Sequence, residues 1–188
     1  MVDRPYLAAM KHLVFAICGL PACAGAQEIF PDVLSKDIAS LEAGVIYAPE
    51  AMGEAPAPGT IEGVTHIIHE EPPFAAVTRR VPAVLGVGFG TKSLAVDPDG
   101  VQGVFITVTH PPMGPNKIRS QTYESKLRGD SPSLTFFQFD HTYELVKGFW
   151  QFEATHDGRV LSRTTFEVVD PHLLPELAKI CDFMDLLS

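Results

Sequence analysis

The sequence predicts an all-β protein, an antiparallel β-sandwich with a short C-terminal helix. Three observations support this. Short runs rich in β-branched and aromatic residues recur along the chain, turn signals built from Gly, Pro and Asp separate them roughly every ten residues, and no long helical period occurs before residue 173. With 188 residues, 46% of them hydrophobic, the chain is long enough to form one domain with a substantial core.

The predicted strands are short apolar runs bounded by turn residues, and the clearest has β-branched residues almost throughout. In chain order they are 45–47, 65–69, 75–81, 84–96, 104–109, 134–139, 149–155 and 160–169. Residues 48–60 hold three prolines and two glycines and are predicted to be a loop, because proline cannot donate to a sheet ladder. Residues 110–132, with scattered Pro, Gly and Ser, are predicted to be a second, longer loop.

Two turn sequences predict hairpins. Asp97-Pro98-Asp99-Gly100 suits a type I turn followed by a left-handed glycine, and it would set Leu94 opposite Val104. The second turn lies at 156–158.

For that second turn, a three-residue loop is preferred because it sets Ala154 opposite Val160 and keeps the apolar faces of both strands together. A two-residue Asp157-Gly158 turn would instead set Phe152 opposite Arg163, and a slip of one residue moves every side chain to the other face. Trp150 and two of the three phenylalanines at 136–139 are expected in the core.

The C-terminal segment 171–188 is predicted to form an amphipathic helix that starts at Pro175 and packs on the sandwich. Its predicted apolar stripe consists of Leu177, Ile180, Cys181, Met184 and Leu187. This arrangement would bury the thiol of Cys181.

The N-terminus has the pattern of an export signal. Met10-Lys11-His12, an alternative start of the chain, forms a positive head, an apolar run covers 13–20, and small residues precede Gln27. Residues 1–26 are therefore predicted to be a signal peptide cleaved after Ala26, which makes the protein periplasmic or secreted. Alternatively, Leu20-Pro21-Ala22-Cys23 resembles a lipobox, and lipidation of Cys23 would attach the chain to a membrane.

The predicted mature chain consists of an N-terminal extension at 27–43, a sandwich domain at 44–170 and the C-terminal helix. Of the three cysteines only Cys181 survives cleavage, so the fold must depend on its core and not on disulfides. The formal charge of the whole chain is -9. Such a charge argues against nucleic acid and against anionic lipid as partners, because both select basic surfaces.

Five sequence pieces, taken together, are similar to a known bacterial family. They are the block at 81–90, His110-Pro111-Pro112, the segment 143–150, Asp157-Gly158 and a closing run at 166–168. Their order and spacing over residues 44–169 resembles domain of unknown function 3859. This resemblance implies an immunoglobulin-like sandwich, and it implies no reaction, ligand or catalytic residue.

Candidate binding residues lie in two places. The predicted loop at 110–132 gathers four basic groups in an acidic protein, and long ordered loops on a sandwich often bind partners. These groups are Lys117, Arg119, Lys126 and Arg128. Phe136, by its position in the aromatic run, would face outward as a binding contact.

A metal site is the second hypothesis. His69 and Glu71 could share one face of a strand, with His110 or His141 as a third ligand, because zinc needs three or four converging ligands. The glycine-rich stretch 86–93 lacks the spacing of a phosphate-binding loop and is interpreted as close backbone packing.

The function predicted first is an exported, non-catalytic binding or accessory module for a protein or a cell-envelope ligand. The alternatives are a metal- or small-ligand-binding periplasmic protein and, behind it, a hydrolase. No cofactor is predicted.

Overall fold

The computed structural model describes residues 31–47, 51–68, 72–181 and 183–187. The predicted signal peptide and the lipobox cysteine lie outside the described residues. Eleven strands are present in the described part of the chain. They are β1 (Val33–Leu34), β2 (Ile38–Tyr47), β3 (Gly53–Pro56), β4 (Val64–Ile67), β5 (Arg80–Pro82), β6 (Val87–Ala95), β7 (Val101–Met113), β8 (Ile118–Leu127), β9 (Ser133–Gln138), β10 (Gly148–His156) and β11 (Arg159–Val169).

Two sheets form the sandwich. The larger has the order β1-β11-β10-β7-β8, with β5 pairing in parallel along β11, and the smaller has the order β2-β6-β9. The chain crosses directly between the sheets after β1, β5, β6, β8 and β9, and it returns from β2 to β5 by way of β3 and β4, which gives Greek-key connections. Strands β3 and β4 form a separate two-stranded ribbon. This is the immunoglobulin-like arrangement, so the predicted fold class is confirmed.

An aromatic cluster centred on Phe89 fills one half of the core. The Phe89 ring lies 5.5 Å from that of Trp150, 5.2 Å from Phe166 and 5.4 Å from Phe139, with the first two pairs edge to face. Trp150 is fully buried, and its indole N–H donates to the carbonyl of Val146 at 3.0 Å. The predicted core position of Trp150 is confirmed, and each such aromatic buries a large apolar area.

The other half of the core is lined by hydroxyls. Five buried Ser and Thr side chains from both sheets surround a cavity of about 10 Å³. They are Thr91, Ser93, Thr135, Ser162 and Thr164. The Oγ1 atom of Thr164 is buried without a hydrogen-bond partner among the described residues. Ile106, Leu127, Phe152 and Ala154 line the same cavity, so hydroxyls and apolar side chains share this half of the core.

The Asp97–Gly100 turn forms as predicted, but the hairpin does not. The N–H of Gly100 donates to the carbonyl of Asp97 at 2.9 Å, and Gly100 has a φ of +75°. The strands that the turn joins, however, lie in different sheets, so Leu94 is not opposite Val104. The predicted pairing was wrong because turn chemistry specifies a reversal of the chain and not the sheet that the next strand enters.

The turn after β10 has two residues, Asp157 and Gly158, with φ of +49° and +71°. The predicted three-residue loop was wrong. The extra residue is Leu161, which forms a bulge inside β11, because Thr155 is opposite Val160 while Ala154 is opposite Ser162. The bulge keeps the apolar faces together, as the prediction required, but at a different position along the strand.

The sandwich begins earlier than predicted. The segment predicted as an N-terminal extension contains β1 and the first residues of β2, whose Ile38 is buried in the core. The predicted loop at 48–60 contains β3, which tolerates Pro56 because the ribbon has only two strands. The predicted strand at 75–81 is reduced to β5 and one isolated bridge between Ala76 and Val45.

The long loop predicted at 110–132 was also wrong. Strands β7 and β8 occupy most of it, joined by a turn at 114–117 where Lys117 has a φ of +52°. Pro111 and Pro112 lie where the ladder is interrupted between Thr109 and Met113, so neither proline breaks a regular pair. Polar residues of this segment lie on the solvent-facing side of strand β8. Their polarity is what favoured the loop prediction.

The C-terminal helix is shorter than predicted. The only α-helical turn among the described residues, α1, covers Pro175–Ala178, and 3-10 turns occupy 171–173 and 184–187. Leu177 and Cys181 are buried as predicted, whereas Ile180 and Met184 are exposed. A short C-terminal helix is therefore present, as predicted, but it ends at Ala178, and the described residues after it pack on the sandwich at intervals. No helix among the described residues is long and apolar enough to span a membrane.

Candidate ligand pocket

A pocket of about 430 Å³ opens on one side of the sandwich. Its walls are β8 and β9, the edge strands of the two sheets, and the β3–β4 ribbon covers it. The lining is mixed, with six apolar or aromatic side chains among polar and charged ones, and Val108 on β7 belongs to the hydrophobic core. The apolar lining consists of Val64, Val108, Tyr123, Leu134, Phe136 and Phe137. This volume is within the range of small-molecule sites, which are commonly apolar inside with a few polar groups at the mouth.

The ribbon is fixed to β8 at its turn. The N–H of Thr122 donates to the carbonyl of Gly59 at 3.1 Å, and the N–H of Ile61 donates to Oε1 of Gln121 at 2.8 Å. A Cβ atom at Gly59 would lie 2.0 Å from the carbonyl oxygen of Thr122, so only glycine permits this approach. The cover of the pocket therefore depends on backbone contact with the edge strand.

Gln121 also connects the pocket wall to the core. Since its Oε1 accepts from Ile61, its Nε2 is the donor toward Nε2 of the buried His110, 3.3 Å away. Nδ1 of His110 donates to the carbonyl of Pro111 at 2.8 Å, and its ring packs on Trp150. Burial lowers the pKa of His110. These contacts fit a neutral imidazole with its proton on Nδ1.

The segment 139–147 forms the rim at the far end of β9. Nε2 of His66, on the ribbon, lies 3.0 Å from Oδ2 of Asp140, and Gln138 donates to the other oxygen at 2.8 Å. Oε2 of Glu144 accepts the backbone N–H groups of Asp140 at 2.7 Å and His141 at 2.9 Å. Burial raises the pKa of Glu144, although both of these N–H donors act in the opposite direction.

A second contact ties the ribbon to this rim. The hydroxyl of Tyr143 donates to Glu62, and the ring of His141 stacks on Tyr143 with centroids 5.2 Å apart. Nε2 of His141 lies 3.6 Å from Glu62. Desolvation, followed by the hydrogen bond to Glu62, raises the pKa of Tyr143. The ribbon is thus held at both β8 and the 139–147 segment.

The pocket is acidic. Five carboxylates contribute to its lining: Glu54, Glu62, Glu124, Asp140 and Glu144. Glu62, Asp140 and Glu144 take part in the contacts above. Glu54, on β3, and Glu124, on β8, form no ion pair with another described residue, and both are exposed. These two carboxylates come from the cover and from the wall of the pocket respectively.

The basic residues predicted to bind a partner are not brought together. Lys117 lies in the turn before β8, Arg119 and Lys126 lie on β8, and Arg128 follows it. At about 3.3 Å per residue these groups extend over roughly 36 Å. Nε of Arg128 lies 3.3 Å from Oδ1 of Asp130. Phe136, predicted as an exposed contact, is half-buried and lines the pocket.

The predicted metal ligands His69 and Glu71 lie outside the described residues. Of the histidines considered as a third ligand, His110 is buried against Trp150 and His141 stacks on Tyr143. Within the described ranges, no group of three or more His, Cys, Asp and Glu side chains is placed to hold a metal ion.

Sequence reasoning missed the pocket because it missed β8 and β3. One usable signal was present. Gln121, Tyr123, Ser125 and Leu127 alternate with exposed residues, and this period of two is typical of a strand with one buried face.

The glycine-rich stretch, interpreted as close backbone packing, forms the start of β6. A Cβ atom at Gly90 would lie 2.0 Å from the carbonyl oxygen of Thr135 on β9, so the interpretation is confirmed.

The strand order, the crossings between sheets and the aromatic core define an immunoglobulin-like β-sandwich with a ligand-sized pocket at one side. The family described as domain of unknown function 3859 matches residues 35–168, so the chain belongs to this family. The resemblance seen in the sequence is confirmed, and the match begins nine residues earlier than the predicted 44. No curated protein matches the chain.

Two solved structures are similar to parts of the chain. One is an immunoglobulin-like protein from Pseudomonas aeruginosa, with 21% identity and a TM-score of 0.49, covering 77% of this chain and 100% of that one. The other is a β-glucosidase from Listeria innocua in complex with glucose, with 11% identity and a TM-score of 0.27, covering 65% of this chain and 22% of that one.

Proposed function

We propose that the protein is an exported, non-catalytic binding domain of the bacterial cell envelope that holds a small ligand in the pocket between β8, β9 and the ribbon. The observation that carries the proposal is the pocket itself, about 430 Å³ and lined by aromatic, polar and charged side chains. Its two walls belong to sheets that the core holds together, and pockets on such rigid scaffolds are usually largely pre-formed.

The polar rim supports binding and not catalysis. Asp140 is engaged by His66 and Gln138, and Glu144 by two backbone N–H groups. These contacts hold the ribbon and the 139–147 segment in place. A catalytic pair would instead be directed at a position where a substrate atom reacts.

Between the two binding hypotheses from the sequence, the pocket favours a small ligand over a protein captured by the basic residues. Those residues are spread along β8, so they offer no concentrated patch, whereas the pocket collects aromatic and polar side chains from four strands. Phe136 is the candidate from the sequence that fits this proposal.

Export is supported by the head, apolar run and small residues of segment 10–26. Mass measurement of the chain recovered from its host tests this part of the proposal. A mature chain that begins at Gln27 and comes from the periplasmic fraction is the expected result. A chain that begins at a lipidated Cys23 would support the lipoprotein alternative in place of signal-peptide cleavage after Ala26. An uncleaved cytoplasmic chain would contradict both export routes.

Native mass spectrometry of the same samples tests the pocket. We expect a small retained species in the wild type and its loss in Ser125→Trp, which places a large ring in the pocket. Ser120→Trp is the matched control, because Ser120 is on the same strand and exposed. A wild-type chain without a retained species, or a species that Ser125→Trp still retains, would contradict the proposal.

A further inference from the structure

We infer that the pocket selects an organic cation with an apolar body, an ammonium group carried on an aromatic or alkyl unit. This inference rests on the proposed function, since it names the class of ligand for the same pocket.

The charge of the pocket is the first argument. Five carboxylates contribute to its lining, and the basic residues of β8, Arg119 and Lys126, are not among the described residues that line it. A cation entering the pocket would approach carboxylates on both sides, and this attraction is screened by salt because the rim is open to solvent. An anionic ligand would meet the same field with the opposite sign.

The two carboxylates without ion pairs are the second argument. Glu54 is opposite His66 in the ribbon, and Glu124 is opposite Phe105 on β7. The other rim carboxylates have partners that hold the structure together, whereas these two are available to a ligand. Glu124 alternates with Tyr123 and Ser125 and so reaches the pocket only at its outer edge. An ammonium group between the ribbon and β8 would be attracted mainly by Glu54 of the cover and more weakly by Glu124 at that edge.

The aromatic interior is the third argument. Tyr123, Phe136 and Phe137 line the pocket next to Val108 and Leu134. Aromatic rings attract ammonium groups through their faces and bury apolar groups equally well. Of the charged ligands, a purely polar dication would use the carboxylates but leave this surface uncovered. A cation with one ring satisfies both parts of the pocket.

The experiment compares three probes that share one ring and one short chain: 2-phenylethylammonium, 2-phenylethanol and 3-phenylpropanoate. Binding to the mature chain is measured at pH 7 and low salt by titration calorimetry and by amide chemical shifts. We expect the cation to bind at least about tenfold more tightly than the alcohol, and the carboxylate not to bind measurably. The preference for the cation should decrease as salt is added, because the rim is open to solvent.

The variants identify the charges responsible. The double variant Glu54→Gln with Glu124→Gln should bind the cation with an affinity within about twofold of its affinity for the alcohol. The substitutions keep the shape of the side chains and remove only their charge. Asp99→Asn with Asp157→Asn is the matched control. It removes the same net charge from the turns at 97–100 and 157–158, outside the pocket, and should leave the preference unchanged.

The outcomes separate this inference from the proposed function. If cation and alcohol bind equally and Ser125→Trp abolishes both, the inference on charge is overturned and the pocket remains a binding site. If none of the three probes binds, the inference is overturned, and the native mass spectra decide whether the pocket has another ligand. If Ser125→Trp leaves cation binding intact, the probe binds elsewhere and the inference is overturned, while the native mass spectra again decide the proposed function.

Discussion

The imidazole ring of His110 packs against the indole ring of Trp150, with centroids 4.8 Å apart and planes inclined by 33°. His110 thereby joins the aromatic core to Gln121, which holds the ribbon through Ile61. A proton added to Nε2 of His110 would face the Nε2 donor of Gln121. The protonation state of one buried side chain thus affects both the core and the cover of the pocket.

We therefore expect the stability of the protein to fall as the pH is lowered below about 6.5, the ordinary pKa of histidine. The pKa of His110 is lowered in the folded state, so between its two pKa values the unfolded chain binds more protons, and acid favours unfolding. The contribution of neutral His110 to the free energy of unfolding is fully present above pH 6.5. Thermal melts of the wild type and His110→Gln from pH 8 to pH 5 measure the effect. The wild type should lose more stability than the variant over this range, and parallel curves would contradict the assignment.

The cavity lined by hydroxyls should hold one ordered water molecule. Its volume of about 10 Å³ is close to the space one water requires, and the buried Oγ1 of Thr164 needs a partner. Thr164→Val should therefore lower the free energy of unfolding by about 1 kcal/mol, because the water loses one of its hydrogen bonds. A high-resolution crystal structure would show the water directly. An increase in stability on substitution would mean instead that the cavity is dry.

Gly59→Ala should loosen the ribbon and leave the sandwich intact. The new Cβ atom would collide with the carbonyl oxygen of Thr122, so the N–H of Thr122 should lose its bond to residue 59 and exchange with solvent much faster. Hydrogen exchange at Thr122 is the readout, with the melting temperature as a check on the core. Gly53→Ala is the control, because a Cβ at Gly53 meets nothing within 4 Å. Equal rates of hydrogen exchange at Thr122 in the two variants would show that Gly59 does not hold the ribbon.

Cys181 should resist alkylation in the folded protein. The side chain is buried among the C-terminal turns, and burial raises the pKa of its thiol, which lowers the fraction of reactive thiolate. Mass spectrometry after treatment with iodoacetamide should show an unmodified chain under native conditions. In denaturant, a chain that begins at Gln27 should show one modification, because Cys181 is its single cysteine. Rapid modification of the folded protein would contradict the burial of Cys181.

Local sequence patterns predicted the strands whose two faces differ in polarity. Trp150 and Phe152 alternate with polar residues on β10, and the turn chemistry of Asp97–Gly100 and Asp157–Gly158 correctly located two chain reversals. Strand β8 was missed because its exposed face carries charged residues such as Arg119 and Lys126, which resemble a solvated loop. Turn chemistry gave the positions of the reversals but not the sheet that each strand joins.

The pocket could not be predicted by the same means. Its cover depends on contacts between residues far apart in sequence: Ile61 with Gln121 across 60 positions, and Tyr143 with Glu62 across 81. No local period or motif encodes such pairs. They arise only after the sheets have brought the edge strands together.

The contact between Gly59 and Thr122 has a consequence for how cells can keep this protein in solution. Strand β8 is the last in its sheet, and the ribbon occupies one of its outward N–H groups. A bare strand edge is a template for pairing with another chain and leads to aggregation. A ligand that displaced the ribbon completely would uncover that template. The contact at Gly59 thus protects an edge of the larger sheet as well as covering the pocket.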